Sequence, residues 1–574
     1  MINTQLLVGY KEIYGENNYE VSELIADLPV TKVGQIISKI NLEIHIGTDN
    51  AEQMKYFAYF TSHLSASERG RIIECSLGVK KDYVSPENIF YFSRHSLLYL
   101  FFKVLKYSEK QSIGIEQDLT NEERDNLFKA ILIANDEVNG RSFSGEVDFS
   151  NYEEFRKFMW RTANLQNQFD STDPVIKVIK AKCFFDMMQN HNKYSSEVER
   201  LLSAYSADNT WTLLYRDRLL PYMKSIKILA ESSDTIQTIN INTPQRRFYE
   251  QLIINHSELK NQHFSLKVFK QTPLLKINHD QCVVLDWGLY NEQLFEANIF
   301  DFFNTTRVRE LGGFNNFLHY KNELIDSQFY EEYLLKRIAD VLFPKKHQIK
   351  LSEEQLRDNS IEITPDYYVR DGNNVFLIEY KNSYYPSSID KRSDYNEIKC
   401  TIDERFNSEE SGVGQQIKRV NYLIKNRFED VEEPNYPRNR NLNIFPVIIF
   451  SDVNYNIPGV GRYLDESFKN QIDESTRSQF KNIMSLVFIH VDYFFEHIDL
   501  FSKKPPLFKD HLKRFLRYQS IQEKKLAKSP NNLIIHQELD IPFTYRIRRL
   551  YKYPNNRKDF IKASFEAFDL LQNT

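Results

Sequence analysis

The sequence has few of the residues that build flexible or cross-linked chains. Glycine and proline number only 17 and 18 among 574 residues, which argues against long disordered linkers. The four cysteines, Cys75, Cys183, Cys282 and Cys400, are far apart and form no CxxC pair. This spacing argues against a disulfide framework or a cysteine zinc site, and it predicts free thiols in a reducing compartment.

Long hydrophobic runs are also missing. A membrane span needs about 18 or more consecutive apolar residues, and the longest candidate, which begins at Ile89, is interrupted by Ser93, Arg94 and His95. The first residues, MINTQLLVGYKEIYGENN, lack the basic and apolar regions of a signal peptide. We therefore expect a cytoplasmic protein that does not associate with membranes.

The chain does have length and a marked charge asymmetry. Its length predicts about two to four domains. Between Lys503 and Lys562 there are 16 Lys or Arg and 5 Asp or Glu, a net charge of +11, which leaves −16 on the rest of a chain whose total is −5. Lys and Arg interleaved with Tyr and Phe can bind phosphates and stack on bases. This composition predicts a nucleic-acid partner; a solvated, charged helix surface is the alternative.

The order of hydrophobic patterns divides the chain into four predicted segments. Residues 1–240 are mostly helical, with one helix from Tyr152 to Phe169, and carry no motif with obvious chemistry. We interpret them as a recognition or sensing domain for a protein partner. Residues 241–324 are a strand-containing lead-in, residues 325–500 an α/β domain, and residues 501–574 a basic segment that binds nucleic acid.

Strands and helices alternate in the α/β segment. A helix is predicted from Gln328 to Phe343, a second helix begins at Gly414, and two apolar strands end at Asp452 and Asp492. The predicted fold class is α/β, with a mixed central sheet flanked by helices. In the lead-in, FSLKVFKQTPLLKI and CVVLDW are predicted to be strands joined by a polar turn.

The stretch TPDYYVRDGNNVFLIEYKN, residues 364–382, predicts a β-hairpin because Asp-Gly and Asn-Asn separate two β-rich runs. If the turn is centred between Gly372 and Asn373, Asp366 lies directly opposite Glu379. Their Cβ atoms would then be about 5 Å apart.

Most alternative positions of the hairpin turn would still place Asp366 and Glu379 on the same face of the sheet. A loop made of Asp371 and Gly372 would make Glu379 a diagonal neighbour of Asp366, and only an odd-length loop or a bulge would separate them. Lys381 follows Glu379 by two residues, so it shares that face.

Two facing carboxylates either share a proton or hold a cation. Mg²⁺ prefers carboxylate oxygens and retains several waters, and Mn²⁺ is an alternative ion. A lysine beside the ion can polarise water or neutralise charge on a phosphate. The end of this strand is therefore predicted to carry chemistry.

These residues, Pro365-Asp366 followed by Glu379-Tyr380-Lys381, resemble the motif of the PD-(D/E)XK nuclease superfamily. The resemblance covers the order of elements over residues 325–500. It implies a restriction-endonuclease-like fold and metal-dependent hydrolysis of phosphodiester bonds. It further implies that Asp366 and Glu379 bind Mg²⁺ and that Lys381 assists the attack of water.

The resemblance also implies a metal-binding glutamate on the helix before the hairpin. Glu331 and Glu332 are the candidates in QFYEEYLLKRIADVLF. Glu331 shares a predicted helical face with the apolar residues at spacings of 3, 4, 7 and 11. Glu332 faces Lys336 as an ordinary surface pair. We therefore assign the third metal ligand to Glu331.

A glutamine on the helix after the hairpin is the next feature that the resemblance implies. GVGQQIKRVNYLI offers Gln415 and Gln416, and Gln416 is preferred because it precedes an apolar residue. Some members carry an aromatic residue four positions later, where this chain has Val420, so the RecB-like branch is not favoured. Lys418 and Arg419 are predicted to contact backbone phosphates.

A second metal site could be imagined at His490, Asp492 and His497. Their strand context favours a structural role instead.

The predicted function is a Mg²⁺-dependent DNA endonuclease in restriction or phage defence. A nuclease of DNA repair or recombination is one alternative, and a non-catalytic nucleic-acid-binding protein on an inactivated nuclease fold is another. The sequence leaves open DNA versus RNA, sequence specificity, endo versus exo cleavage, the activating signal and whether the chain forms a homo-oligomer.

Overall fold

A computed structural model of the chain divides into two compact units. Unit 1 comprises residues 1–146, 169–171 and 202–298, and unit 2 comprises residues 147–168, 172–201 and 299–574. The structure describes residues 6–17, 19–46, 50–78, 89–110, 118–142, 151–169, 172–231, 238–243, 246–386, 390–429, 436–551 and 557–568. Among these residues, no helix has the length and apolar character needed to cross a membrane.

Two small sheets are formed by the described residues of unit 1. β1 (Leu6–Leu7) pairs in parallel with β2 (Ile89–Phe90). β3 (Ile239–Asn240), β4 (Leu274–Lys276) and β5 (Gln281–Val284) form an antiparallel sheet in the order β3-β5-β4. The predicted polar turn between the last two strands is confirmed.

The predicted strand FSLKVFKQTPLLKI is wrong in its first half, where Leu266–Gln271 is a helix, and confirmed in its second half, which contains β4. The Ser265 side chain accepts a hydrogen bond from the Lys267 N–H and caps the first turn. Leu266 and Phe269, three residues apart, are both buried, which is a helical spacing.

The other regular elements among the described residues of unit 1 are helices, and many of them share a hydrophobic core. Its helices are Tyr10–Tyr14, Val21–Ile25, Val30–Ile46, Asn50–Thr61, Ala66–Gly78, Arg94–Tyr107, Asn121–Ser142, Thr212–Leu219, Leu220–Glu231, Arg246–Glu250, His256–Leu259, Leu266–Gln271, Trp287–Tyr290 and Asn291–Leu294. Two further helices, Ser195–Ala204 and Glu296–Thr305, cross the divisions between the units.

Unit 2 is built on a six-stranded mixed sheet. Its strands are β6 (Ile349–Ser352), β7 (Tyr367–Asp371), β8 (Asn374–Lys381), β9 (Asn443–Phe450), β10 (Asn482–Ile483) and β11 (Val487–His490). β6, β7 and β8 are antiparallel neighbours, whereas β9 is parallel to β8, β10 and β11. The mixed α/β architecture is the one expected from the sequence.

The described residues of unit 2 also form helices. They are Tyr152–Asn167, Pro174–Asn190, Val308–Gly312, Phe317–Tyr320, Lys321–Leu335, Lys336–Leu342, Glu353–Asp358, Asp390–Ser393, Tyr395–Ile402, Asp403–Asn407, Val413–Lys425, Asn439–Asn441, Val453–Tyr455, Val460–Gln471, Glu474–Ser478, Asp492–Glu496, Ile498–Lys503, Leu507–Leu526, Leu533–Asp540, Phe543–Leu550 and Arg557–Ala567. Three of them are used below: the π-helix Lys321–Leu335, the crossover helix Val413–Lys425 between β8 and β9, and the long C-terminal helix Leu507–Leu526.

The crossover helix is formed by a strongly amphipathic sequence. Val413, Val420 and Leu423 are buried in one core cluster with Leu377 of β8. The helix therefore covers the face of β8 that Leu377 occupies, and residues two positions along that strand face it as well. Two parallel strands require such a crossover connection.

The two units differ from the four predicted segments. The predicted boundaries at 240/241, 324/325 and 500/501 are not divisions between units 1 and 2. The predicted helix from Tyr152 is observed as Tyr152–Asn167, and its Trp160 packs in the core cluster of unit 2. Hydrophobic periodicity identifies such a helix but does not say against which part of the chain its apolar face packs.

Candidate active site

The hairpin has the predicted register. β7 and β8 are joined by a two-residue turn in which Gly372 adopts a φ of +61°, a conformation that glycine accepts readily. Tyr367 pairs with Ile378, so Asp366 stands one step beyond, opposite Glu379. The structure therefore confirms that these two acidic residues are neighbours across the hairpin.

Both carboxylates lie beneath the crossover helix. Glu379 is 1% exposed and Asp366 is 8% exposed. The Asp366 Oδ2 atom accepts a hydrogen bond of 2.6 Å from the Tyr380 N–H, which fixes one oxygen of this carboxylate. Ionised groups are rarely buried to this extent unless cations compensate them.

Two cationic side chains supply that compensation. The Lys381 Nζ atom lies 2.6 Å from the Glu379 Oε1 atom. The Arg419 Nη1 atom contacts the Glu379 Oε2 atom, and its Nη2 atom is 3.7 Å from the Asp366 Oδ1 atom. Lys381 is thus on the predicted face, and one guanidinium group reaches both carboxylates.

The predicted phosphate contact by Arg419 is wrong for this arrangement. Its side chain is 3% exposed, and its Nε–H donates to the Thr364 carbonyl oxygen at 2.9 Å. Lys418, by contrast, is half-buried and forms an ion pair of 2.5 Å with Glu410. Neighbouring helix residues point in different directions, and the buried face belongs to Arg419.

The two facing carboxylates have unequal proton affinities. Burial, and then the charge of Glu379, raise the pKa of Asp366 to about 8 against the opposing effects of Arg419 and Lys381. Burial would also raise the pKa of Glu379, but Arg419 and Lys381 outweigh it and the pKa is lowered. Glu379 therefore gives up its proton more readily than Asp366, as expected for acids that crowd each other.

Lys381 is held in its charged form. Burial acts to lower the pKa of its ammonium group, but Glu379 and Asp366 outweigh burial and raise that pKa. A charged lysine next to two carboxylates is suited to orienting a polar group or balancing negative charge on a substrate.

Glu331 lies on the π-helix, one residue after Tyr330, whose ring stacks on Tyr380 of β8 with centroids 5.0 Å apart. Its side chain is half-buried. Burial, and then the negative charges of Asp366, Glu353, Glu379 and Asp326, together raise the pKa of Glu331 to about 10. Glu331 therefore lies within electrostatic range of the facing carboxylates, whereas Glu332 is exposed.

A second cluster of polar side chains lies at the end of β8. Asn382, which follows Lys381, donates to Asp326 at 2.7 Å, and Lys321 donates to the same carboxylate at 2.6 Å. Asp326 and Lys321 both belong to the π-helix. These contacts hold the chain in place immediately after Lys381. The only sequence signal for them is that Asn382 follows Lys381 directly.

Gln416 lies under the sheet. Its Nε2 atom donates to the main-chain oxygens of Leu377 and Val447, both at 3.2 Å, and the side chain is fully buried. Its Oε1 atom has no hydrogen bond with any described residue. Gln416 thus connects the crossover helix to β8 and β9, and its partner on β8, Leu377, lies two positions before Glu379. These hydrogen bonds do not involve the carboxylates of Asp366 or Glu379.

The residues of the imagined second metal site have protein partners instead. The His490 Nε2–H donates to the Ser451 carbonyl oxygen at 2.9 Å, and Asp492 forms an ion pair of 3.0 Å with the buried Lys180. The His497 Nδ1–H donates to the Tyr493 carbonyl oxygen. The structural role that the sequence favoured is therefore consistent with these contacts.

The donor set at the hairpin fits a hard divalent cation in its chemistry. Within the described ranges, no three acidic, histidine or cysteine side chains form a metal-ligating group. Two carboxylates suffice for Mg²⁺, which usually retains waters and also uses substrate phosphates. Burial, and then the charge of Glu379, raise the pKa of Asp366, and a bound cation would favour the ionised form of this carboxylate.

The basic C-terminal segment has two kinds of cation. Lys509 pairs with Asp371, Arg546 with Glu538, and Arg548 with Glu496. Others are exposed and have no ion-pair partner among the described residues. We call four of these the basic face of the long C-terminal helix and the turn that follows it: Lys513, Arg517, Lys524 and Lys528.

Comparisons of this chain with family models, curated proteins and solved structures found no match.

Proposed function

We propose that this protein is a divalent-metal-dependent nuclease of the PD-(D/E)XK type with a restriction-endonuclease-like fold. The observation that carries the proposal is the pair of buried carboxylates, Asp366 and Glu379, opposite each other across a hairpin with the Lys381 ammonium 2.6 Å from Glu379. The order helix, three antiparallel strands, crossover helix and parallel strand gives further support.

In this proposal Asp366 and Glu379 hold Mg²⁺ or Mn²⁺, and Glu331 is a further ligand. The bound ion would supply Lewis-acid activation of water and neutralise phosphate charge. Lys381 remains charged beside Glu379 and would orient the attacking water or stabilise charge on the phosphate. Gln416 keeps β8 and β9 in position from below.

The proposed substrate is nucleic acid, with DNA as the first choice, bound in part by the basic face. Three exposed cations along one helix and a fourth in the turn after it are suited to phosphate contacts. Restriction or phage defence is the proposed setting, by analogy with nucleases that carry large accessory regions. A role in repair would use the same chemistry.

The test is cleavage of supercoiled plasmid and of RNA by the full-length protein, in Mg²⁺ and in EDTA. We expect Mg²⁺-dependent cutting, reduced by about 100-fold or more in Lys381→Ala. The matched control is Lys350→Ala. Lys350 lies on β6 of the same sheet and pairs with Asp340. This control should cut like the wild type. Cutting that survives both Lys381→Ala and EDTA would show that the assigned site is wrong.

A non-catalytic nucleic-acid-binding protein is the second candidate, and one observation favours it. Each oxygen of Glu379 already has a cationic neighbour, Lys381 on one side and Arg419 on the other. Such an arrangement is also found in purely structural ion pairs. Tight binding of DNA or RNA without any cleavage in Mg²⁺ or Mn²⁺ would favour this second candidate.

A further inference from the structure

Arg419 occupies a central position among the proposed metal ligands. Its Nη1 atom contacts the Glu379 Oε2 atom, its Nη2 atom is 3.7 Å from the Asp366 Oδ1 atom, and its Nε–H donates to Thr364. The two terminal nitrogens of the guanidinium group thus each lie beside one oxygen of a different carboxylate. A cation shared by those carboxylates would use the same oxygens.

The remaining carboxylate oxygens have other partners. Lys381 lies at the Glu379 Oε1 atom, and the Tyr380 N–H is bound to the Asp366 Oδ2 atom. Lys381 contacts Glu379 alone, whereas Arg419 reaches both acids. Arg419 is therefore the side chain that an ion bridging Asp366 and Glu379 would meet.

Charge balance points the same way. With all groups ionised, Lys381 and Arg419 neutralise Asp366 and Glu379. A divalent ion adds two positive charges in a region where the surrounding side chains are buried, so its repulsion from the guanidinium is weakly screened.

We propose that Arg419 is an internal counter-ion that competes with the divalent cation for Asp366 and Glu379, so that cation binding requires the guanidinium group to move away from them. This inference rests on the proposed function, because it concerns the same metal site. It makes Arg419 a positioning residue that stabilises the fold while opposing metal binding.

A purely structural Arg419 would behave differently. If it only ordered the two carboxylates, its removal would disorder them and weaken cation binding. If it competes with the cation, its removal destabilises the chain but strengthens cation binding. The direction of the change in cation affinity separates these roles.

The experiment measures Mn²⁺ binding to the full-length protein by the electron paramagnetic resonance signal of free Mn²⁺. Thermal unfolding in EDTA and in Mn²⁺ is recorded in parallel. The variants are Arg419→Gln and Arg419→Lys, and the matched control is Lys418→Gln, which removes the neighbouring charge that pairs with Glu410. Arg419→Lys keeps the charge but lacks the fork that spans two carboxylates, and it serves if Arg419→Gln does not fold.

We expect Arg419→Gln to bind Mn²⁺ about tenfold more tightly than the wild type, the effect of removing one nearby like charge. In EDTA its unfolding midpoint should fall by about 5 °C, because two carboxylates lose their shared cation. Mn²⁺ should restore this loss. Arg419→Lys should bind Mn²⁺ about threefold more tightly than the wild type, and Lys418→Gln should bind it like the wild type.

Two results would overturn the inference while leaving the proposed nuclease intact. One is Mn²⁺ binding by the wild type with equal or weaker binding by the Arg419 variants. The other is an equal gain in affinity from Lys418→Gln, which would indicate a general charge effect. If neither the wild type nor any variant binds Mn²⁺, the metal site itself fails, and the proposed function fails with it.

Discussion

Charged residues serve opposite purposes at the hairpin and on the long C-terminal helix. Asp366, Glu379 and Arg419 are buried and arranged so that each charge has an opposite neighbour. Lys513 and Lys524 on the basic face are exposed and have no such neighbour among the described residues. Buried charges must be compensated locally, whereas exposed ones are compensated by solvent and salt or by a partner.

The difference teaches how to interpret charge in this chain. The sequence shows a basic segment plainly, because 16 cations are concentrated in one stretch. It shows the candidate site only through spacing, since Asp366 and Glu379 are 13 positions apart and Arg419 lies 40 positions further on. Yet the buried cluster has the larger energetic consequence for each side chain.

The largest effect is expected from removing one buried charge. Glu379→Gln leaves Lys381 and Arg419 without their shared partner, so the free energy of unfolding should fall by about 3 kcal/mol. Glu523→Gln is the matched exposed change, because Glu523 pairs with Lys469 at 2.9 Å on the surface. It should cost at most about 1 kcal/mol. Urea unfolding of both variants measures the difference.

Equal losses for Glu379→Gln and Glu523→Gln would break the comparison. They would mean that water reaches Glu379 and compensates its neighbours as it does at the surface.

An intermediate effect concerns histidines buried near the basic face. Burial lowers the pKa of His497 to about 4 and that of His511 to about 3 from the ordinary 6.5. As pH falls below 6.5, the unfolded chain takes up protons before the folded one, so stability is lost between about pH 6.5 and pH 4. Each histidine should contribute about 2 kcal/mol between pH 7 and pH 5.

Unfolding free energies at pH 7 and pH 5 test this dependence. His497→Gln should reduce the loss of unfolding free energy between pH 7 and pH 5 by about 2 kcal/mol. The control is His279→Gln, a change at an exposed histidine. An unchanged pH dependence in His497→Gln would show that His497 is protonated in the folded chain.

The smallest effect for each side chain is expected on the basic face. If it binds phosphates, each change to Gln among its four cations should weaken nucleic-acid binding about threefold and reduce the salt dependence by about one ion. Titration of labelled DNA at several salt concentrations measures both. Four exposed lysines of unit 1 provide a control with the same loss of charge: Lys11, Lys224, Lys260 and Lys267.

The four changes to Gln on the basic face are compared with four changes to Gln at the control lysines. An equal loss of affinity in the two variants would contradict a specific role for the long C-terminal helix. Binding would then depend on total charge alone.

Much of the sheet in unit 2 could be predicted from the sequence. Asp-Gly followed by Asn-Asn specified the turn, and alternation along the strands then fixed Asp366 opposite Glu379 and Lys381 on the same face. The helix predicted from Gln328 lies within a longer helical stretch, in which the π-helix Lys321–Leu335 follows Phe317–Tyr320 and precedes Lys336–Leu342. Asp326 of the π-helix accepts a hydrogen bond from Asn382, a contact that the sequence pattern does not indicate.

The sequence by itself determined the hairpin, its register and the identity of the acids that meet across it, because these depend on residues close together in the chain. Only the tertiary structure decided that Arg419, not Lys418, turns inward to both carboxylates, and that Tyr152–Asn167 packs in unit 2. Such choices depend on which apolar faces fit together across long stretches of chain. Periodicity identifies those faces, but it does not identify their partners.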